Sequence, residues 1–230
     1  MSGSKKTTID AKMESALKHF LTPMSGLDFD VIVKALTSFD VLPLDNDNPE
    51  GAAFLGSLER LCGAVMQDIH ADPIIRPRPN EVGNDAEKYF VNAEIETGAT
   101  CAFAKTASGK GKMSAYPDLR FECDGVVAYL EIKTYAAHKD HSSFRAFYLS
   151  PSEDFKVAED AHHLVIGLAM EAGDTSEPGN FAYTPVSASI VDLSDLRCNV
   201  KYEFNASNRD LYGDDASVLT VVDYGAGARA

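Results

Sequence analysis

The sequence predicts an α/β protein in which a mixed β-sheet is flanked by helices and preceded by a helical N-terminal part. Three observations lead there. Apolar residues recur at three- and four-residue spacing through the first third of the chain; from about residue 93 they fall into short β-branched and alternating runs; one further helical stretch joins the two regimes. Helices and strands interleaved in this way pack as layers around one sheet. A chain of 230 residues, 45% of them apolar, is long enough to bury one substantial core.

Each element has a local reason. Thr8 can cap a helix over 8–21 on which Ile9, Met13, Ala16, Leu17 and Phe20 share a stripe, and the stretch from Pro23 to Gly26 breaks it. A second helix is expected over 28–39. Asn48 can cap a third, with Pro49 at its first position, and Leu55, Leu58, Leu61, Val65 and Ile69 form its apolar face. A helix over 80–92 leads to a strand near 93–104, a Gly/Ser/Lys loop at 107–112, and strands near 116–122 and 126–136. Further strands are expected at 144–149, 163–170, 186–192 and 198–204. The first 77 residues read as a helical region packed on a core at 78–223, with a flexible tail at 224–230.

The most informative stretch is PDLRFECDGVVAYLEIK at 117–133, which sets a Pro-Asp step and a Glu-x-Lys triplet on two neighbouring apolar segments. Pro117 holds the chain extended ahead of Asp118. Glu131 and Lys133 alternate with Leu130 and Ile132, so strand periodicity puts both charged side chains on one face. The carboxylates of Asp118 and Glu131 suit Mg²⁺, a hard cation that takes one or two carboxylates and keeps several waters; Mn²⁺ is expected to substitute. The backbone carbonyl of Ile132 offers a third oxygen on the same edge. The Lys133 ammonium can orient or help deprotonate an attacking water and stabilise charge on a pentavalent phosphorus. This is the layout of a metal-dependent phosphodiester-cleaving site. The plainer alternative is an ordinary turn at Asp118 and a solvated strand edge at Glu131 and Lys133.

On these residues the sequence resembles the PD-(D/E)xK nuclease superfamily, in particular its type II restriction endonucleases. The likeness spans roughly 78 to 213. RPNEVGNDAEKYF at 78–90 is similar to the helix that brings a further glutamate to the metal site, and ASGKGKMSAYPDLRF at 107–121 to the loop and strand that deliver the Pro-Asp. FRAFYLSP at 144–151, EDAHHLVIGLAME at 159–171 and EFNASNRDLYG at 203–213 look like segments common in these enzymes. The resemblance implies a restriction-endonuclease-like sheet, with 78–223 as the catalytic core. It also implies Mg²⁺-dependent, sequence-specific hydrolysis of double-stranded DNA and a cognate DNA methyltransferase that protects the host's own sites. A homodimer is expected, since two-fold symmetry matches a palindromic target. The further glutamate is Glu87, with Glu81 its rival; Glu81 begins the same helix and also suits the helix dipole.

Contacts to DNA are expected from Lys110 and Lys112 in the glycine-bearing loop, from Arg145, and from Asn208 and Arg209. Asn and Arg pair bidentately with adenine and guanine, although the run NASNRD at 205–210 also has the composition of a plain loop. The balance of 21 basic against 35 acidic residues, a net charge of -14, opposes nonspecific adhesion to DNA. A specific nuclease tolerates it if Arg76, Arg78, Lys105, Lys110, Lys112, Arg120, Lys133, Lys139, Arg145 and Lys156 gather in one cleft. Two other functions fit the same chain: a repair or structure-specific nuclease of this fold, and a non-catalytic acidic protein that mimics DNA.

His162 and His163 are adjacent on an expected strand, so they point to opposite faces and do not readily share one ion. Cys62, Cys101, Cys123 and Cys198 are too widely spread for a zinc pattern and read as reduced, mostly buried thiols. The N-terminus lacks an apolar leader and no run reaches the roughly 18 apolar residues of a membrane span, so a soluble, cytoplasmic protein is expected.

Overall fold

The computed structural model describes residues 11–20, 24–78, 81–95, 97–109, 115–137, 147, 149 and 154–200. Residues Gly26–Cys198 form one compact unit. Outside it are α1 (Ala11–Phe20) and the outer residues of β1 (Met24–Asp28) and β9 (Arg197–Val200), two strands that pair with each other.

Within the compact unit, α2 (Phe29–Thr37) ends where Ser38 turns left-handed (φ 70°) and its N–H returns to the Lys34 carbonyl. The strand β2 (Val41–Leu42) follows. The long helix α3 (Pro49–Ala71) starts as its sequence dictates: the Asn48 side chain accepts from the Gly51 N–H at 2.8 Å, and Pro49 takes the first turn. Its buried stripe is Phe54, Leu58, Leu61, Cys62, Val65 and Ile69. After β3 (Ile74–Arg76), helix α4 (Val82–Asn92) buries Val82, Ala86 and Phe90.

The remaining strands are β4 (Ala99–Phe103), β5 (Leu119–Cys123), β6 (Val126–Ala136), β7 (Ala161–Gly173) and β8 (Phe181–Asp192). They run in the order β3-β8-β7-β6-β5-β4, with β2 parallel to the first residues of β7. The sheet is mixed. β6 and β7 are parallel, pairing Glu131 with Val165 and Lys133 with Gly167, while the other neighbours in that order are antiparallel. A two-residue turn at Asp124 and Gly125, both with positive φ, joins β5 to β6.

Side-chain alternation sends Leu130 and Ile132 of β6, Leu119 and Phe121 of β5, and Leu164, Ile166 and Leu168 of β7 into one cluster under α3 and α4. Each such side chain contributes roughly 1.5–3 kcal/mol by leaving water. The opposite face carries a second, aromatic cluster of Phe29, Val33, Tyr116, Tyr129, Val157, Ala161 and Leu193. Helices therefore cover both faces, and the central strands are apolar on both sides.

The expected strand at 93–104 is shorter, because only 99–103 find partners on β5. The helical first third contains three short strands, β1, β2 and β3, too brief to leave a periodic signal. Of the strand expected at 144–149 only Phe147 and Leu149 are described, and neither lies in a strand; of 198–204, residues 201–204 lie outside the described residues.

Two glycines of α3 separate close packing from open space. A Cβ built at Gly51 falls 1.9 Å from the Asp45 carbonyl oxygen, whereas one at Gly63 meets nothing within 4 Å. Gly51→Ala should therefore destabilise the protein by more than about 2 kcal/mol, and Gly63→Ala should stabilise it by about 0.5–1 kcal/mol. Urea unfolding of the two variants measures both, and equal effects would contradict the packing described.

Candidate active site

The site begins where the β5–β6 ladder ends. Leu119 pairs with Leu130, and one residue earlier the Asp118 N–H still donates to the Leu130 carbonyl at 3.1 Å. The next N–H along β6, that of Ile132, meets the Asp118 carboxylate at 2.8 Å. A residue's N–H and C=O point to the same neighbouring strand, so the Ile132 carbonyl also faces the Asp118 edge. The Pro-Asp step and the Glu-x-Lys triplet are thus brought together by main-chain geometry.

Glu131 and Lys133 share the other face of β6, as the period of two requires, and Lys133 Nζ lies 2.6 Å from Glu131 Oε1. The Glu131 side chain is 7% exposed, and its second oxygen, Oε2, is buried with no hydrogen-bond partner among the described residues. Burial first, then the Asp118 charge, pushes the Glu131 carboxyl up to about 6, against the pull of Lys133. Glu87, on α4, joins the same electrostatic group. Burial raises it to about 7, with Asp118 and Glu131 adding repulsion and Lys156 and Lys133 opposing it. The charge of Glu81 instead bears on Arg76.

The structure adds Lys156, which the sequence offered only as one basic residue among ten. It is buried, and its ammonium donates to the Pro117 carbonyl at 2.8 Å. Burial lowers its pKa, opposed by Asp118, Glu131 and Glu87. Nothing local could have singled it out, because its partner is 39 residues away. Beside the site, the Tyr116 hydroxyl meets Nδ1 of the buried His163 at 2.7 Å, and burial drops that imidazole to about 4. His162 points the other way, to the Leu42 carbonyl.

The expected basic cleft is not built from the arginines of the sheet. Arg76 is held by Asp85, and Arg120 by both Glu122 and Glu159, so their charges are already matched within the protein. Lys110, Lys112, Lys139, Arg145, Asn208 and Arg209 lie outside the described residues. None of the four cysteines is in a disulfide: Cys62 and Cys123 are buried, Cys101 and Cys198 half-buried, and burial pushes the Cys62 and Cys101 thiols up to about 12.

Among the described residues no group of three or more Asp, Glu, His or Cys side chains is placed to hold a metal ion. Two carboxylates and a carbonyl with open positions would suit a hard divalent cation that retains several of its waters. The orphaned Glu131 Oε2 and the mutual repulsion of Asp118, Glu131 and Glu87 are what such a cation would relieve. Among the described residues no helix is long and apolar enough to cross a membrane.

The sheet and its edge thus define a mixed α/β protein with a carboxylate–lysine centre. The chain belongs to the type II restriction enzyme MjaV family, which it matches over residues 23–215. It is 33% identical over 220 residues to the type II restriction enzyme MjaV of Methanocaldococcus jannaschii, covering 89% of this chain and 93% of the relative. No solved structure matches.

The elevated Glu87 carboxyl gives a stability test. In the folded protein it keeps its proton up to about pH 7, against an ordinary 4.5, so its favourable contribution is complete below 4.5 and is lost as pH rises through 7. At pH 8 without metal, Glu87→Gln should be more stable than the parent by about 1–3 kcal/mol, and the difference should vanish near pH 4. Denaturant unfolding in EDTA at the two pH values checks this; equal stability at pH 8 would remove Glu87 from the cluster.

Proposed function

We propose that this type II restriction enzyme is a Mg²⁺-dependent endonuclease that hydrolyses phosphodiester bonds in both strands of double-stranded DNA at a specific sequence, through a PD-(D/E)xK centre on a restriction-endonuclease-like sheet. One observation carries the reading: Asp118 and the Glu131–Ile132–Lys133 triplet meet across the end of the β5–β6 ladder, with an unpartnered Glu131 oxygen beside them. Family membership supports the target class.

Asp118, Glu131 and the Ile132 carbonyl would hold the cation, with Glu87 a further ligand or an organiser of the site. When bound, Mg²⁺ neutralises the phosphate and lowers the pKa of coordinated water. Lys133, already 2.6 Å from Glu131, orients the attacking water and places positive charge where the phosphorane gains negative charge. Burial of the Glu131 side chain keeps bulk water from screening that charge. Mn²⁺ should replace Mg²⁺. The enzyme acts in the cytoplasm as a homodimer, with one subunit per strand, alongside a cognate DNA methyltransferase that marks the same sequence. The catalytic core is assigned to residues 78–223, and α3 of the preceding region packs against its sheet.

Incubating the protein with unmethylated plasmid and phage DNA, with and without Mg²⁺, and mapping the fragment ends tests activity, metal need and target together. Cutting of intact duplex at a fixed site is expected; cutting confined to damaged or branched DNA would point to a repair nuclease. Asp118→Ala and Glu131→Ala should each abolish cleavage while the protein stays folded. Lys133→Ala should slow single-turnover cleavage by roughly two orders of magnitude or more yet retain cation binding. Near-normal turnover by any of the three would sink the assignment.

Specificity is predicted to come from base contacts and DNA deformation more than from phosphate attraction, because a net charge of -14 leaves few cations for the backbone. Asn208→Ala or Arg209→Ala should cost about 1–3 kcal/mol at one base position. Binding to a panel of singly substituted sites at two salt concentrations measures it. A uniform loss over all sequences would mark a phosphate contact, and an unchanged profile for both variants would move recognition elsewhere in the chain.

A further inference from the structure

One buried cation at the site has no task in the hydrolysis described above. Lys156 is 4% exposed, and its ammonium donates at 2.8 Å to a main-chain oxygen, that of Pro117, rather than to a carboxylate. Excluding an ammonium from water is costly unless charges of opposite sign lie close by. Here they are Asp118, Glu131 and Glu87.

The segment that carries Lys156 is held from several sides. The Ala107 N–H donates to the Phe155 carbonyl at 3.2 Å, and the Ser108 hydroxyl to Asp154 at 2.6 Å. The Ala158 N–H donates to the Tyr129 hydroxyl at 2.9 Å, and Val157 is packed in the aromatic cluster. The lysine therefore cannot swing out as a surface lysine does. Its acceptor is the carbonyl immediately before Asp118, so the bond fixes the peptide plane from which the Asp118 side chain projects. Lys133 does not duplicate this role, since it is partly exposed and tied to Glu131.

We propose that Lys156 is a positioning residue of the cleavage site, a resident counter-cation that fixes the Pro117–Asp118 peptide and holds Glu87, Asp118 and Glu131 together before a divalent cation binds. What the carboxylates serve rests on the nuclease reading. The charge balance itself belongs to the protein free of metal and DNA.

Lys156→Met keeps the stem and removes the charge, and thermal unfolding reads its effect without any cleavage. In EDTA the variant should melt several degrees below the parent, and Ca²⁺ should raise its Tm at least about twofold more than it raises the parent's, because the cation now supplies the missing charge. Single-turnover cleavage in Mg²⁺ should fall about tenfold or more, with DNA affinity in Ca²⁺ within about threefold of the parent's. An unchanged Tm in EDTA together with an unchanged Ca²⁺ response overturns the proposal. If Lys156→Met does not fold, the variant carrying both Glu87→Gln and Lys156→Met, compared with it at pH 8 where Glu87 is ionised, removes one charge of each sign; recovery of a folded protein supports the charge balance, and no gain over the single variant refutes it. Failure of the parent to cut any unmodified DNA in Mg²⁺ would defeat the nuclease reading, while the Tm shifts in EDTA and Ca²⁺ would still decide the role of Lys156.

Discussion

The site depends on the Ile132 N–H finding its partner in a side chain. Elsewhere along the β5–β6 pair, main-chain donors meet main-chain acceptors, but at Ile132 the acceptor is the Asp118 carboxylate, 2.8 Å away. A buried N–H left without a partner costs about 1–3 kcal/mol, so the carboxylate is strongly held in that position. The same bond ties the Asp118 side chain to the main chain between Glu131 and Lys133. The acid and the Glu-x-Lys triplet are thereby gathered by sheet geometry.

Gathering them creates an electrostatic problem, and the site answers it locally. Three carboxylates bear on one another, two of them raised well above their ordinary values by burial and by mutual repulsion. Lys133 and Lys156 offset part of that charge from two directions, one on the strand face and one at the Pro117 carbonyl. The imbalance that remains favours a divalent cation. The overall charge of -14 is thus less informative than its distribution, since Arg76 and Arg120 are matched by acidic neighbours while the carboxylates of the site are only partly matched.

The aromatic cluster holds the Pro-Asp step from the side opposite to α3 and α4. Tyr116 stacks on His163 and packs edge-on to Phe29 and Phe147, and its hydroxyl bonds to His163. The central strands supply apolar side chains to both faces, so Tyr116 and Asp118 are anchored in a packed layer and not on a free loop.

The sequence by itself determined the start of α3 and the face on which the key side chains fall. Asn48 and Pro49 set the start of α3, and the alternation of Leu130, Glu131, Ile132 and Lys133 set the two faces of β6, because capping and periodicity are local effects. Asp118, Glu131 and Lys133 were legible as a group, since they sit within 16 residues, one just ahead of β5 and two on β6, with a tight turn joining the strands. Only the tertiary structure decided that Glu87 feels the charges of Asp118 and Glu131, that Arg76 and Arg120 are engaged in ion pairs, and that Lys156 reaches Pro117. The short strands β2 and β3 likewise exist through their partners on β7 and β8. The physical reason is common to all of these: each depends on a charge or a hydrogen-bonding edge supplied by a distant segment, and local pattern carries no record of which distant segment arrives.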